Sequence, residues 1–169
     1  MEEIYKPTKY YQNIYEINYQ LLKEENISVI LFDLDNTIAK VKDKEPSQET
    51  IELFNKLREL GFKIYIFSNA LPHRVKKFAS ILGTDKICFA CKPLKRNYLK
   101  LLNQYSNKEI VAIGDQIYTD IKGANRHNIK SILGDRISKI ESIFKKFNRL
   151  KERRLIDNKK IIVRGEYYE

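Results

Sequence analysis

Seven polar residues follow apolar runs of the sequence closely enough to form one reactive centre. The run at residues 28–33, within "SVILFDLDNTIA", leads into two aspartates that a single residue separates, and three later runs end in similar side chains. The seven are Asp33, Asp35, Ser68, Asn69, Lys92, Asp115 and Asp120. Each is also an ordinary turn or cap residue, so one D-x-D alone has little weight. Their recurrence after four successive runs favours a joint site.

The apolar runs alternate with segments of helical periodicity. Runs near residues 28–33, 62–67, 86–90, 109–114 and 129–133 are predicted strands. Ser47 is suited to begin a helix and Gly61 to end it, while Pro72 and Gly83 bound the next helix in the same way. This order predicts an α/β fold, in which a mostly parallel five-stranded sheet carries helices on both faces. Ligands of such sheets bind at the carboxyl ends of the strands.

Converging carboxylates require a cation. Two carboxylates about 4 Å apart repel each other by roughly 4 kcal/mol at an effective dielectric constant of 20. A hard divalent ion with oxygen ligands, together with the ammonium group of Lys92, would keep these carboxylates ionised. The sequence therefore predicts a Mg²⁺ site at which a phosphate also binds.

Length and charge restrict the class of protein. The 169 residues fit a single domain, and the net charge of +10 favours anionic partners such as phosphorylated ligands, nucleic acid or an acidic membrane surface. The N-terminus has no apolar signal region, and no run reaches the roughly 18 apolar residues of a membrane span. A cytoplasmic protein is expected. Cys88 and Cys91 are predicted to be reduced core cysteines rather than a metal or redox site, because a structural zinc site needs about four ligands and only His73 and His127 remain to complete it.

These motifs resemble the haloacid dehalogenase superfamily of aspartate-nucleophile phosphatases. "DLDNT" resembles its first motif, Ser68 after "KIYIF" the second, Lys92 in "CKP" the third, and "GDQIYTD" the acidic fourth. The resemblance covers about residues 28–133. It implies a three-layer Rossmann-like fold in which all four motifs meet at one edge of the sheet.

The resemblance also implies a role for each site residue. Asp33 would attack phosphorus and become an aspartyl phosphate, while Asp35 would protonate the leaving oxygen and then deprotonate water. The remaining expected roles are phosphate binding by Ser68, the Asn69 amide and Lys92; Mg²⁺ binding by Asp33, the Asp35 main-chain carbonyl and Asp115; and support by Asp120 and Thr37. His73, Arg74 and Arg126 are expected to be solvated or to cap helices rather than to bind substrate.

Related classes of protein fit less well. Ion pumps of the same superfamily carry Thr where this chain has Asp35, so a phosphatase is favoured. Receiver domains of two-component signalling place their acceptor after the third strand, where this sequence has no further carboxylate. A non-catalytic phosphate-binding module stays an alternative that predicts binding without turnover.

The spacing of the motifs leaves no room for a cap domain. One helix and one strand fill the chain from Thr37 to Ser68, and again from Ser68 to Lys92. The site is therefore expected to be open to solvent. Open sites suit a phosphate on a lipid surface, a nucleic acid or a protein, or a site over which a second subunit of an oligomer forms the lid.

Both termini are assigned to the same domain, residues 1–169. Residues 1–26 are predicted to form a helical extension. Residues 136–160 are predicted to form a basic amphipathic helix that either packs on the sheet or lies on an anionic bilayer.

A narrower resemblance concerns the YqeG-type branch of class IIIA. It is based on "SNALPHRVKKFA", "IGDQIYTDIKGANRHN" and "FNRLKERR". The branch includes a mitochondrial phosphatidylglycerophosphate phosphatase, so the resemblance implies hydrolysis of phosphatidylglycerophosphate to phosphatidylglycerol, with peripheral contact to an anionic membrane. The alternatives are a 3′-phosphatase that acts on nucleic-acid ends, since positive charge also suits polynucleotides, and a phosphatase of another macromolecular or small phosphorylated substrate.

Overall fold

Six parallel strands form one sheet in the computed structural model, which describes residues 3–138. The strands are β1 (Lys9–Tyr11), β2 (Val29–Phe32), β3 (Lys63–Phe67), β4 (Asp85–Ile87), β5 (Ile110–Gly114) and β6 (Lys130–Gly134). The helices are α1 (Tyr19–Glu24), α2 (Gln48–Glu59), α3 (Pro72–Leu82), α4 (Lys95–Leu102) and α5 (Lys122–Asn125). The strand order across the sheet is β1-β6-β5-β2-β3-β4.

The sheet has one strand more than the predicted five. The additional strand, β1, lies in the segment that was predicted to be a helical extension, where the structure has one short 3₁₀ turn (Glu3–Tyr5), β1 and α1. Within residues 3–138 it pairs only with β6, and Lys9 lies opposite Ile132. All three residues of β1 are only half-buried. An edge strand this short has too little apolar periodicity to be recognised from sequence.

The two faces of β2 belong to two separate cores. Ile30 and Phe32 pack with residues from α1, α2 and α3, whereas Val29 and Leu31 pack with residues from α4 and α5. All four side chains are buried, as expected for a central strand of a parallel sheet with helices on both faces. The prediction of a three-layer α/β fold is therefore confirmed.

No cap domain interrupts the described part of the chain. Between β2 and β3 the only regular element is α2, and between β3 and β4 it is α3. No helix within residues 3–138 has the length and apolar content needed to cross a bilayer. The basic segment predicted at 136–160 lies outside the described residues from position 139 onward.

Candidate active site

Asp33 and Asp115 are neighbours because their strands are neighbours at the point where the strand order reverses. Asp33 directly follows β2, and Asp115 directly follows β5. These strands pair in parallel, with Phe32 opposite Ile113, and the Asp33 amide donates to the Ile113 carbonyl at 2.9 Å. Both carboxylates are buried. In parallel sheets this reversal point opens the crevice in which ligands bind.

Lys92 links two of the aspartates. Its Nζ lies 2.7 Å from an oxygen of Asp33 and 2.6 Å from an oxygen of Asp120, and all three side chains are only 4% exposed. Burial acts to lower the pKa of the Lys92 ammonium group, but attraction to Asp120 and Asp33 outweighs it, so the pKa is raised. Lys92 is therefore a fixed positive charge next to the predicted nucleophile.

Asp120 reaches this cluster because residue 114 is a glycine. A Cβ on Gly114 would lie 2.3 Å from the Asp120 carboxyl carbon, so any larger residue would displace that side chain. Asp120 belongs to a buried π-helical turn, Ile117–Ile121, and accepts a hydrogen bond from the Gln116 amide at 3.1 Å. π-Helical turns occur often at functional sites.

The three carboxylates have the chemistry of a divalent metal site. One ligand oxygen each from Asp33, Asp115 and Asp120 can be chosen such that all lie within 4.8 Å of one another. Lys92 balances one of the three negative charges, which leaves an excess of two that matches a divalent cation. Carboxylate oxygens are the ligands that Mg²⁺ prefers. The donor set therefore fits the predicted ion, and it includes Asp120, which the sequence placed outside the direct ligands.

Asn69 fixes the position of Lys92 through its side chain. Its Nδ2 donates to the Lys92 carbonyl at 3.1 Å, and its Oδ1 accepts from the Lys92 amide at 2.9 Å. Ser68 is buried directly after β3, its hydroxyl accepts from the Ala70 amide at 3.2 Å, and its carbonyl accepts from the Ala90 amide at 3.0 Å. The loops after β3 and β4 are thus joined into one structure. This use of the Asn69 side chain was not predicted.

Asp35 is held by Arg74, a residue whose sequence position predicts a solvated or helix-capping role. Arg74 Nε donates to Asp35 Oδ1 at 2.8 Å, and both side chains are largely buried. The other two guanidinium nitrogens donate to the carbonyls of Lys40, at 2.9 Å, and Asp43. Arg74 therefore ties Asp35 and the following loop to α3. A basic residue six positions after Ser68 was the available signal, but sequence spacing alone does not show which acid it meets.

Two other predictions concern residues beside the site. Thr37 is buried in the turn after Asp35, consistent with a supporting role, and its amide donates to the Leu34 carbonyl at 3.4 Å. Both cysteines are free, but only Cys88 is half-buried, whereas Cys91 is exposed in the loop that carries Lys92. The prediction of a core position was therefore wrong for Cys91.

Known proteins share sequence features with most of this chain. The family model of haloacid dehalogenase-like hydrolases matches residues 39–128. The probable phosphatase YqeG of Bacillus subtilis (strain 168) is 32% identical over 158 residues, which are 92% of this chain and 92% of that protein.

Solved structures share the fold at low identity. An uncharacterized protein from Listeria monocytogenes serotype 4b superposes with a TM-score of 0.54 at 19% identity, over 79% of this chain and 99% of that one. The cobalt-bound deoxy-D-mannose-octulosonate 8-phosphate phosphatase from Haemophilus influenzae gives 0.53 at 13% identity, over 66% and 70%. With a family match over more than half its length and a relative that is similar nearly throughout, this chain belongs to the haloacid dehalogenase-like hydrolases, in the YqeG-type branch.

Proposed function

We propose that this protein is a Mg²⁺-dependent phosphomonoester hydrolase that works through an aspartyl phosphate on Asp33. The observation that carries the proposal is the cluster of Asp33, Asp115 and Asp120, in which Asp33 and Asp120 contact the Lys92 ammonium group at 2.7 and 2.6 Å. Asp33 is a buried carboxylate that lies beside the Lys92 ammonium group and belongs to the predicted Mg²⁺ site. A carboxylate in such a place is suited to attack a phosphoryl group that the two positive charges bind.

Each side chain of the site has its own role in the proposed reaction. An oxygen of Asp33 forms a bond to phosphorus as the bond to the ester oxygen breaks, and Asp35 gives its proton to that leaving oxygen. Asp35 then takes a proton from water, whose oxygen attacks phosphorus and releases Asp33 with inorganic phosphate. Lys92 and Ser68 hold the phosphoryl oxygens. Mg²⁺, held by Asp33 and Asp115 with Asp120, would offset the charge of the phosphoryl group.

We infer that the substrate is phosphatidylglycerophosphate, which the enzyme would convert to phosphatidylglycerol. Three features support this choice: similarity to the YqeG-type branch, the absence of a cap insertion within residues 3–138, and a net charge of +10. An uncapped site can approach a phosphate at the surface of a bilayer, where a cap would collide with neighbouring headgroups. Positive charge favours such an approach to an anionic surface.

Activity on three substrates tests the reaction and the substrate separately. The substrates are phosphatidylglycerophosphate in vesicles, a 3′-phosphorylated oligonucleotide and a soluble aryl phosphate, each with Asp33→Asn as the control. We expect Mg²⁺-dependent turnover of all phosphomonoesters that enter the site, with the lipid preferred. Equal slow rates on all three would refute the lipid assignment, and undiminished activity of Asp33→Asn would refute the mechanism.

The competing substrate class is a phosphorylated nucleic-acid end. Residues 68–84 and 86–108 contain no Asp or Glu, so the loops beside the site are basic, which also suits a polynucleotide. This alternative predicts preference for the oligonucleotide and a steep loss of activity with added salt.

A further inference from the structure

Three large apolar side chains are exposed next to the predicted phosphate-binding residues. Among residues 3–138 the most exposed large hydrophobic residues are Leu94 (62%), Leu71 (60%) and Phe89 (56%). Leu71 comes two residues after Asn69, Leu94 comes two residues after Lys92, and Phe89 comes three residues before Lys92. We call Leu71, Phe89 and Leu94 the apolar rim.

The apolar rim is part of one connected surface. Leu71 lies on the loop after β3, whereas Phe89 and Leu94 lie on the loop after β4. The paired hydrogen bonds between Asn69 and Lys92 join these loops, and the Ala90 amide adds a bond to the Ser68 carbonyl. The rim side chains are thus held at the edge of the sheet where the active site lies.

Local folding gives no reason for an apolar residue at any of these positions. Leu71 is the N-cap of α3 and Leu94 is the N-cap of α4, and neither makes a side-chain cap bond. Ser, Thr, Asp or Asn would stabilise both helices better than Leu. Phe89 has a φ of 49°, a left-handed conformation that bulky residues rarely adopt. Positions at which local preference is set aside without a packing gain are typical of functional surfaces.

Cations accompany the apolar rim. The segments 68–84 and 86–108 together contain nine Lys or Arg residues and no acidic residue. Lys76, Lys95 and Arg96 are exposed beside the rim along the chain. A surface that combines apolar tips with cations matches an anionic bilayer, which offers phosphate groups and an apolar interior at adjacent depths.

Other occupants fit this surface less well. A second copy of the chain would bring the same acid-free, basic segments against each other. A nucleic acid would meet the cations, but its bases stack on aromatic rings, and two of the three rim side chains are leucines.

We propose that the apolar rim inserts into the headgroup boundary of an anionic bilayer and holds the open active site against it. The proposed function supplies the role of this docking, which is to bring a lipid phosphate to Lys92 and Asp33. Binding to vesicles is a property of the surface and needs no turnover.

Vesicle binding by the full chain tests the proposal. The rim variant carries Leu71→Ser, Phe89→Asn and Leu94→Ser, which place cap-forming residues at the two N-caps and a residue tolerant of positive φ at position 89. The matched control carries Leu60→Gln, Ile81→Gln and Leu99→Gln, which replace exposed apolar residues outside the two loops. Sedimentation with vesicles of phosphatidylglycerol and phosphatidylcholine measures binding, and hydrolysis of a soluble aryl phosphate and the thermal midpoint are measured alongside.

We expect the rim variant to bind vesicles at least about tenfold more weakly than the unchanged protein, because it loses three inserted apolar side chains. The control should bind as the unchanged protein does. The rim variant should keep its aryl phosphatase activity, and its thermal midpoint should be at least as high as that of the unchanged protein, because serine caps both helices better than leucine. Undiminished vesicle binding by the rim variant would overturn the proposal. A lower thermal midpoint of the rim variant would also overturn the proposal, because it would mean that the rim packs within the chain. A dimer that forms in the unchanged protein but not in the rim variant would overturn it as well, because the rim would then be a contact between two copies of the chain.

The same experiment separates docking from substrate identity. Rim-dependent binding to vesicles whose phosphatidylglycerophosphate is not hydrolysed would support docking and refute the lipid substrate. Hydrolysis of that lipid without any dependence on the rim would refute docking and leave the proposed function in place.

Discussion

Among the single residues of the active site, Lys92 determines the charge balance. Buried between Asp33 and Asp120, it remains protonated because attraction to both carboxylates outweighs the cost of its own burial. Arg74 has the corresponding position beside Asp35. Each of the two aspartates of "DLDNT" thus has its own cationic partner, which is Lys92 for the predicted nucleophile and Arg74 for the predicted general acid.

Arg74 is a positioning residue for the predicted general acid. We expect Arg74→Met to lower kcat for an alkyl phosphate by about tenfold, a fraction of the 10²–10⁴-fold that general acid catalysis typically contributes. An aryl phosphate with an acidic phenol should be hydrolysed almost normally, because its leaving group needs no proton. Steady-state kinetics on the two substrates measure the difference.

The controls for Arg74 follow from the same geometry. Arg74→Lys should restore part of the alkyl phosphatase activity, since a lysine can still donate to Asp35, and replacing the exposed Arg126 with Met should change neither rate. Equal losses on both substrates would show that Arg74 supports folding or phosphate binding instead.

At the scale of elements, the site depends on how tightly β5 approaches the π-helical turn that follows it. The missing side chain of Gly114 is what allows Asp120 to turn back toward Lys92. The last residue of the neighbouring strand β6 is also a glycine, Gly134, but the nearest atom to a Cβ there is 4.0 Å away. Each of these glycines ends a strand, but only at Gly114 is the space of a side chain already occupied.

We expect Gly114→Ala to reduce phosphatase activity strongly, by about the 10²-fold that a displacement of roughly 1 Å can cause, because the new Cβ forces Asp120 away from Lys92. Gly134→Ala should keep near-normal activity. The measurement is the rate at which each variant hydrolyses an aryl phosphate at saturating Mg²⁺. A similar loss of activity in both variants would mean that displacement of Asp120 is not the cause.

The sequence predicts the elements better than it predicts the contacts between them. Asp33, Ser68, Lys92 and Asp115 each follow a strongly apolar run, and parallel strands bring such positions to one edge whatever the details of packing. The salt bridge of Arg74 depends on the path of the loop after Asp35, and the approach of Asp120 depends on space beside Gly114. The strand β1 has three half-buried residues, which carry too little pattern to reveal it.

At the scale of the whole molecule, the buried carboxylates couple metal binding to stability. Asp33, Asp115 and Asp120 lie together at the centre of the sheet edge, with one lysine among them. Without a bound cation their mutual repulsion opposes folding. A ligand that binds only the folded state stabilises it in proportion to the logarithm of its concentration.

We therefore expect Mg²⁺ to raise the thermal midpoint, with a stabilisation of about 2.7 kcal/mol at 100 times its dissociation constant. Asp115→Asn removes one buried negative charge, so its midpoint without metal should be no lower than that of the unchanged protein, and added Mg²⁺ should shift it little. Replacing the exposed Glu49 with Gln should leave the Mg²⁺ shift intact. An equal shift in Asp115→Asn would place the ion elsewhere.

Detection of a phosphoryl group on Asp33 is the sharpest test of the proposed aspartyl-phosphate mechanism. In the Asp35→Asn variant an aryl phosphate can still transfer its phosphoryl group, but the base that activates water is missing, so the intermediate should accumulate. Mass spectrometry after acid quenching should find one phosphoryl group on the peptide that contains Asp33, and none when Asp33→Asn is added. A phosphoryl group on another residue, or turnover by the double variant without any phosphoenzyme, would refute Asp33 as the nucleophile.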